Sequence, residues 1–319
     1  MNKGILIAII VAIVMVISGS LIFFGVVKFS DRGFEILSSD NIKTSSYELK
    51  GNLKDINIDT NEADISFFPS EDGQIKIVCS EDENLRHKVT MNGGSLDITV
   101  EAEGRFKWIQ LGVGKQSIDI YIPDGEYGSL TIDSDTGDVT VPGEFSFETI
   151  GISTDTGSIE CKATCKGSLY TESDTGAIAL SGLSANFISA KSDTGRIEIS
   201  SAAVGDCVYC ENDTGRCSIS DTKCRVLMIK EDTGNVLLTD VLADERFDIT
   251  SSTGGVTFDG CDAGEIYAKT STGNVSGTLL SDKVYLIESD TGRINVPKTI
   301  TGGRCEIETD TGNVEIKVL

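Results

Sequence analysis

The chain has 319 residues, with 27 Lys and Arg against 50 Asp and Glu, for a formal net charge of −23. A chain this acidic lacks the cationic surface that binds nucleic-acid phosphates, and its 39% apolar residues are too many for a disordered polymer. The single histidine, His87, excludes His-pair and three-His metal sites and speaks against a Ser-His-Asp triad.

The first element in chain order is apolar. Ile5 to Val27 run 23 residues without a charge. At about 1.5 Å per residue a helix of this length spans roughly 35 Å, enough for a hydrocarbon core of about 30 Å, and a helix satisfies its own backbone groups in lipid. A cleaved signal peptide would end at a small-residue site such as Ser18-Gly19-Ser20, but the apolar run continues past it to Val27. Residues 1–28 are expected to form a transmembrane anchor and residues 29–49 a polar tether. Lys28, Arg32 and Lys43 outnumber Lys3 and the α-amino group, which by the positive-inside rule favours a cytoplasmic C-terminal domain. Nine cysteines, an odd number, cannot all pair within one chain. They fit either a reducing space or core positions shielded from oxidants.

Residues 50–128 alternate in short stretches, at Ile75–Val78, Ser95–Val100 and Ser117–Ile122, which is strand periodicity. Ile56–Phe67 matches Leu130–Val141 in pattern, with Ala63 in the place of a glycine. This region reads as an irregular β cap. From residue 129 to 319 a repeat takes over. Asp-Thr-Gly or Ser-Thr-Gly recurs ten times, starting at Asp135, Asp155, Asp174, Asp193, Asp213, Asp232, Ser252, Ser271, Asp290 and Asp310, always 19 or 20 residues apart. Two and four residues after each glycine stand mostly apolar residues, such as Ile197 and Ile199; three and five before the Asp or Ser stand Ile132 and Leu130 and their equivalents. A spacing of two puts one face in and one face out. Each coil therefore reads as two short strands flanking a turn, and equivalent strands of successive coils must run parallel. The expected fold is all-β: a parallel β-solenoid, or β-helix, of about ten 19–20-residue coils with an irregular β N-terminal cap, plus one N-terminal transmembrane helix. One coil cannot stand alone; stacking supplies the shared core.

Asp-Thr-Gly is also the active-site triplet of aspartic proteases. Those enzymes need two aspartates sharing a proton, whereas here ten copies recur and two carry Ser252 and Ser271. The triplets instead read as a structural turn ladder, the Asp side chain accepting from backbone N–H groups and the Gly taking positive φ. The nonapeptide of calcium-binding solenoids is absent. Cys207 and Cys210, three apart on a strand, face opposite ways, which disfavours zinc. No catalytic, cofactor-binding or metal residues are assigned, and no cofactor is expected. His87 and Trp108 read as surface or packing residues of the cap, and Arg196, Arg216 and Arg293 as offsets to the Asp ladder. The chain stops straight after the last turn, at Glu315–Leu319, so the C-terminal strand is expected to leave an edge open to strand pairing.

The pattern Ile132–Val141 (IDSDTGDVTV), its recurrence, the upstream strand Ile120-Tyr121-Ile122-Pro123 and the apolar N-terminus resemble the bacterial putative-adhesin family, a domain-of-unknown-function family of β-strand repeat proteins. The resemblance covers residues 50–319 and implies an envelope-associated, non-enzymatic role, with the C-terminal domain extracytoplasmic. The expectation is a single-pass cell-membrane protein, anchored through residues 5–27, whose rod acts as an adhesin-like binding or scaffold module. Its partner is a protein or an envelope glycan, and nucleic acid is excluded. Two alternatives stand beside it: a cytoplasmic-facing membrane-bound regulator or scaffold, and a polysaccharide-active β-helix enzyme, which would need paired carboxylates that break the repeat.

Overall fold

The computed structural model describes residues 42–82, 85–102 and 116–319. The expected anchor at 5–27, most of the expected tether and Trp108 lie outside the described residues. Among the described residues, no helix is long and apolar enough to cross a membrane. Their regular structure is β throughout, 24 strands joined in one continuous hydrogen-bonded sheet. The strand Ile42–Leu49 occupies the end of the expected tether, with Tyr47 and Leu49 packed against the core.

The repeat columns become the core. Val139, Ile159, Ile178, Ile197, Cys217, Val236, Val256, Val275 and Val314, all two residues after a triplet glycine, are fully buried. Successive coils pair in parallel register along three short faces. Ser184–Ala185, Phe187–Ser192 and Ile197–Ser200 meet Ala203–Val204, Cys207–Asn212 and Cys217–Ser220. This is the expected β-solenoid, and it extends further toward the N-terminus than the triplets do. Ile56–Thr60 pairs with Leu130–Ser134, and Ile65 with Val139, so the stretch matched by pattern is a true coil. Ser95–Ala102 and Gln116–Ile122 contribute another, parallel to Asp55–Thr60 and Ala63–Pro69.

The triplet departs from the expected turn in three coils. Between residues 184 and 239 the ladder passes unbroken through it, with Thr194 opposite Thr214, Gly195 opposite Gly215 and Arg196 opposite Arg216. In the seven other coils one strand ends before or within the triplet and the next begins two residues after its glycine, as expected; in these three the triplet is a bend within a continuous strand. Nor does the glycine generally take positive φ: among the ten triplet glycines only Gly254 does. Its purpose is close approach. A Cβ on Gly215 would lie 1.7 Å from the carbonyl oxygen of Gly195, and every triplet glycine meets its neighbouring coil in this way. Left-handed backbone is used at a second corner, where Gly182, Ser201, Asp221, Asp240 and Gly260 have φ between 46° and 65°. These are residue types that tolerate that region or pay least to enter it.

Coil order departs from chain order at both ends. Near the N-terminus the coil 55–69 lies between the coil 95–122 and the coil 125–141. Near the C-terminus the strands Gly303–Thr311 and Val314–Val318 slot between the coil 262–279 and the coil 283–295. The last strand is therefore flanked on both sides, by Val275–Leu279 along its length and by Ile294–Asn295 at its start. Of the open edge expected at residues 314–319, Val314–Glu315 is covered, and Ile316–Val318 pairs on one side among the described residues. Among the described residues Lys283–Thr291 likewise pairs on one side, with Gly303–Thr311.

Candidate functional site

The ten triplet Asp and Ser side chains form one exposed column, one per coil. Asn61 continues it toward the N-terminus, donating from Nδ2 to Asp135 Oδ2 at 2.7 Å. Two further columns at the same corner hold the coils together. The residue after the glycine accepts a backbone N–H from the next coil: Asp64 from Asp138, Asp138 from Ser158, Asn235 from Gly255, Asn274 from Asn313, and Asn313 from Arg293. That is the backbone-accepting role the sequence suggested for the triplet Asp. Arg196, expected beside the Asp ladder, lies 4.0 Å from Glu198, and Arg293 enters the asparagine column through its backbone N–H.

The residue before the triplet points inward. Ser173, Asn212, Thr270 and Thr309 are buried and donate to the carbonyl oxygens of Gly157, Gly195, Gly254 and Gly273 at 2.9–3.1 Å, and half-buried Ser289 does the same to Gly312 at 3.0 Å. These donors satisfy carbonyls at the corner where the glycines of successive coils approach most closely. Glu231 occupies the same column between Asn212 and Ser251. It is 2% exposed and neither carboxylate oxygen has a hydrogen-bond partner. Burial, then the charges of Asp232 and Asp213, push its carboxyl up to about 7. An acid in a column of donors was readable in the sequence, since the nine other coils place Ser, Thr or Asn there.

All nine cysteines are free and eight are buried, Cys207 being half-buried. Burial pushes the thiols of Cys79, Cys161, Cys224 and Cys305 up to about 12, so they pack as small hydrophobes. Cys210 is buried and Cys207 is not, as expected of residues three apart on a strand.

His87 is a buried packing residue of the cap with a polar network that the sequence did not reveal. It sits on Leu85–Asn92, which runs antiparallel to Ser95–Ala102, and 3% of it is exposed. Its Nδ1 lies 3.0 Å from Glu81 Oε2, which also accepts the His87 backbone N–H at 2.6 Å; its Nε2 lies 2.9 Å from Thr60 Oγ1; and Ser45 donates to Glu81 Oε1 at 2.9 Å. Burial holds the ring below the usual histidine range, against the pull of Glu81. With Cys79, also buried, the three side chains bring sulfur, oxygen and nitrogen within 4.8 Å of one another. Both ring nitrogens and both carboxylate oxygens already have partners inside the network, so the cluster closes on itself.

On the outer side, the face that precedes the triplet carries two columns. One holds Tyr170, Tyr209 and Tyr267, with Tyr170 53% exposed. The other holds Glu172, Lys191, Glu211, Lys230, Lys269 and Glu308, of which Lys191 pairs with Glu211 at 3.4 Å and Lys269 with Glu308 at 2.6 Å across coils. Lys230 lies over the Tyr209 ring at 5.5 Å and the Arg304 guanidinium over Tyr267 at 5.7 Å.

Known proteins share this architecture. A putative adhesin from Parabacteroides distasonis ATCC 8503 has a TM-score of 0.52 at 11% identity, covering 88% of this chain and all of its own. A putative adhesin from Bacteroides fragilis NCTC 9343 (TM-score 0.42, 13% identity, 89% and 100% covered) and a putative lipid binding protein from P. distasonis ATCC 8503 (0.49, 17%, 75% and 97%) are more distant in shape. At such identities the likeness speaks of fold alone, and the first carries it. No curated protein matches the chain. Residues 53–207 match the family model described as Toastrack DUF4097. That match is in keeping with the putative-adhesin resemblance of the repeats.

Proposed function

We propose that this protein is a membrane-anchored, non-enzymatic rod that presents its outer faces as a binding or scaffold surface at a bacterial cell envelope. One observation carries the reading: inward columns are kept nearly constant from coil to coil, whereas the outward face before the triplet varies, gathering three tyrosines and a row of alternating charge. The exposed ring of Tyr170 and the half-buried rings of Tyr209 and Tyr267, beside paired charges, suit recognition of a protein or glycan surface. The triplet carboxylates stand one per coil in an exposed column rather than as a buried pair sharing a proton, which supports a structural use over acid catalysis. The name adhesin carried by the P. distasonis protein is in keeping with this reading. The apolar run Ile5–Val27 supplies the anchor.

A test is retention of the detergent-solubilised full chain by purified envelope fractions. The triple variant Tyr170→Ala, Tyr209→Ala, Tyr267→Ala is expected to lose most of that retention with its β circular dichroism intact. Equal retention of variant and parent sinks the assignment of this face. The second reading, a cytoplasmic-facing scaffold, is favoured by nine free thiols and by Lys28 and Arg32. Protease added to intact cells separates the two, because an outward rod is degraded and an inward one is spared.

A further inference from the structure

The coil 283–296 breaks a rule that every other triplet coil obeys. The position two after the glycine is fully buried in the other nine, yet Ile294 is 48% exposed. Of eight exposed large hydrophobic residues among the described ones, five fall within this coil and its flanks: Leu280, Val284, Leu286, Ile294 and Ile300. Beside them runs the unpaired edge of Lys283–Thr291, whose backbone donors and acceptors have a partner on one side. An apolar surface joined to an open strand edge is a template for adding another strand.

The charge of this segment selects the occupant. Residues 280–300 hold three acidic residues (Asp282, Glu288, Asp290) and three basic ones (Lys283, Arg293, Lys298), a sum of zero within a chain of −23. Two copies can bring these ends together without the repulsion that opposes contact elsewhere on the rod. The strand is also self-complementary. An antiparallel two-fold centred on Leu286 places Leu286 opposite Leu286 of the second copy, Tyr285 opposite Ile287, Val284 opposite Glu288 and Lys283 opposite Ser289. Each of these pairs shares one face of the sheet and sets no like charges opposite; the next pair outward, Asp290 against Asp282, is the register's one like-charge pair. At the far end of the stack Ile42–Leu49 also pairs on one side, but none of the exposed large hydrophobic residues among the described ones lies on it or on Leu85–Asn92.

We propose that the coil 283–296 is a homodimer interface, in which two copies join end to end by antiparallel pairing of Lys283–Thr291 and seal the Ile294 end of the core. An isologous contact of this kind closes after two copies. The proposal is independent of what the lateral faces bind.

The test is sedimentation velocity of the full chain in non-ionic detergent across a hundred-fold concentration range. The parent is expected to move from monomer to dimer. Leu286→Lys and Leu286→Glu alone are each expected to weaken dimerisation at least ten-fold, and mixing the two to restore it, because the two-fold puts residue 286 against itself. Outward positions on other coils carry Tyr, Glu and Lys, so either charge is compatible with folding; Ile294→Lys is a second variant, expected to stay monomeric. A parent that remains monomeric throughout overturns the proposal and leaves the end to a different partner. So does a dimer that persists in Leu286→Lys and Ile294→Lys, which would place association elsewhere, for instance in residues 5–27. Failure of the mixture to restore the dimer overturns the register.

Discussion

At the N-terminal end of the stack, Ile75–Asp82 runs antiparallel to Gln116–Ile122, and Leu85–Asn92 runs antiparallel to Ser95–Ala102. These reversed strands bury Ile75, Ile77 and Cys79 and place a closed Glu81–His87–Thr60 network beneath the surface. At the C-terminal end the outermost coil keeps the parallel repeat, and nothing reversed covers it. Its inward residues Tyr285, Ile287 and Val296 are part-buried, and Ile294 is half-exposed. A repeated coil presents the same apolar side to both neighbours, so the last one always has an unsatisfied side. Leaving the repeat is what ends a solenoid: strands of opposite direction and new composition do so at one end, and the other end keeps the repeat.

Equivalent truncations separate the two ends most clearly. Ile77→Ala removes a fully buried side chain between two strands and is expected to cost about 3–4 kcal/mol in urea denaturation. Ile287→Ala, on the part-buried end coil, is expected to cost about 1 kcal/mol in dilute protein. Equal costs would mean that the C-terminal end is covered in solution to the same degree as the cap. A cost at Ile287 that grows with protein concentration is the form that covering takes if a second copy supplies it.

How much of this was legible in the sequence divides along the same line. The inward columns, the parallel stacking and the hidden coil at Ile56–Phe67 follow from period and alternation, because burial on one face leaves a mark every second residue. Coil order left no such mark. The glycine spacing from Gly273 to Gly292 to Gly312 stays at 19 and 20 although the third coil lies between the first two. Identical rungs fit any neighbour, so pattern cannot rank them; the exposed Val284 and Leu286 at outward positions were the available hint. The triplet glycine was found for the wrong reason. A sequence shows that Cβ is excluded but not whether dihedral or contact excludes it, and here a carbonyl 1.6–2.2 Å from where the Cβ would stand decides. The second corner, with Ser201, Asp221 and Asp240 in left-handed backbone, carried a weaker signal because three residue types share the column. The cap network was hidden because Glu81 and His87 meet through a hairpin and Thr60 arrives from another coil.

Between the two ends, Glu231 tests the inner donor column. A carboxyl whose folded pKa lies above its unfolded value holds its proton more tightly when folded. The stability tied to that proton is intact below about 4.5, drains as pH rises toward about 7, and stays lost above it. Glu231→Gln supplies an amide that can donate as Asn212 does to Gly195. It is expected to gain roughly 1–3 kcal/mol at pH 8 and little at pH 4. A parent whose stability is flat from pH 4.5 to 7.5, or a Gln variant no more stable at pH 8, would show that the acid finds a partner in solution.

The cap has its own titration, with the opposite sign and the smallest expected effect. His87 is held below its usual value of 6.5 by burial, so the folded cap binds the neutral ring. Its contribution is present above pH 6.5 and is lost as pH falls below it, by at most about 1.4 kcal/mol per pH unit for one proton. Amide exchange along Leu85–Asn92 should therefore speed up between pH 6.5 and 5, after correction for intrinsic rates, while exchange along Lys283–Thr291 shows no such dependence. In His87→Gln the cap should lose that dependence, because the amide can still reach Thr60 and Glu81 but does not titrate. Protection of Leu85–Asn92 that holds to pH 5 would mean that Glu81, 3.0 Å from the ring, compensates the imidazolium fully. The network would then be an ion pair at acid pH and a hydrogen bond at neutral pH, and the cap would stay shut in both.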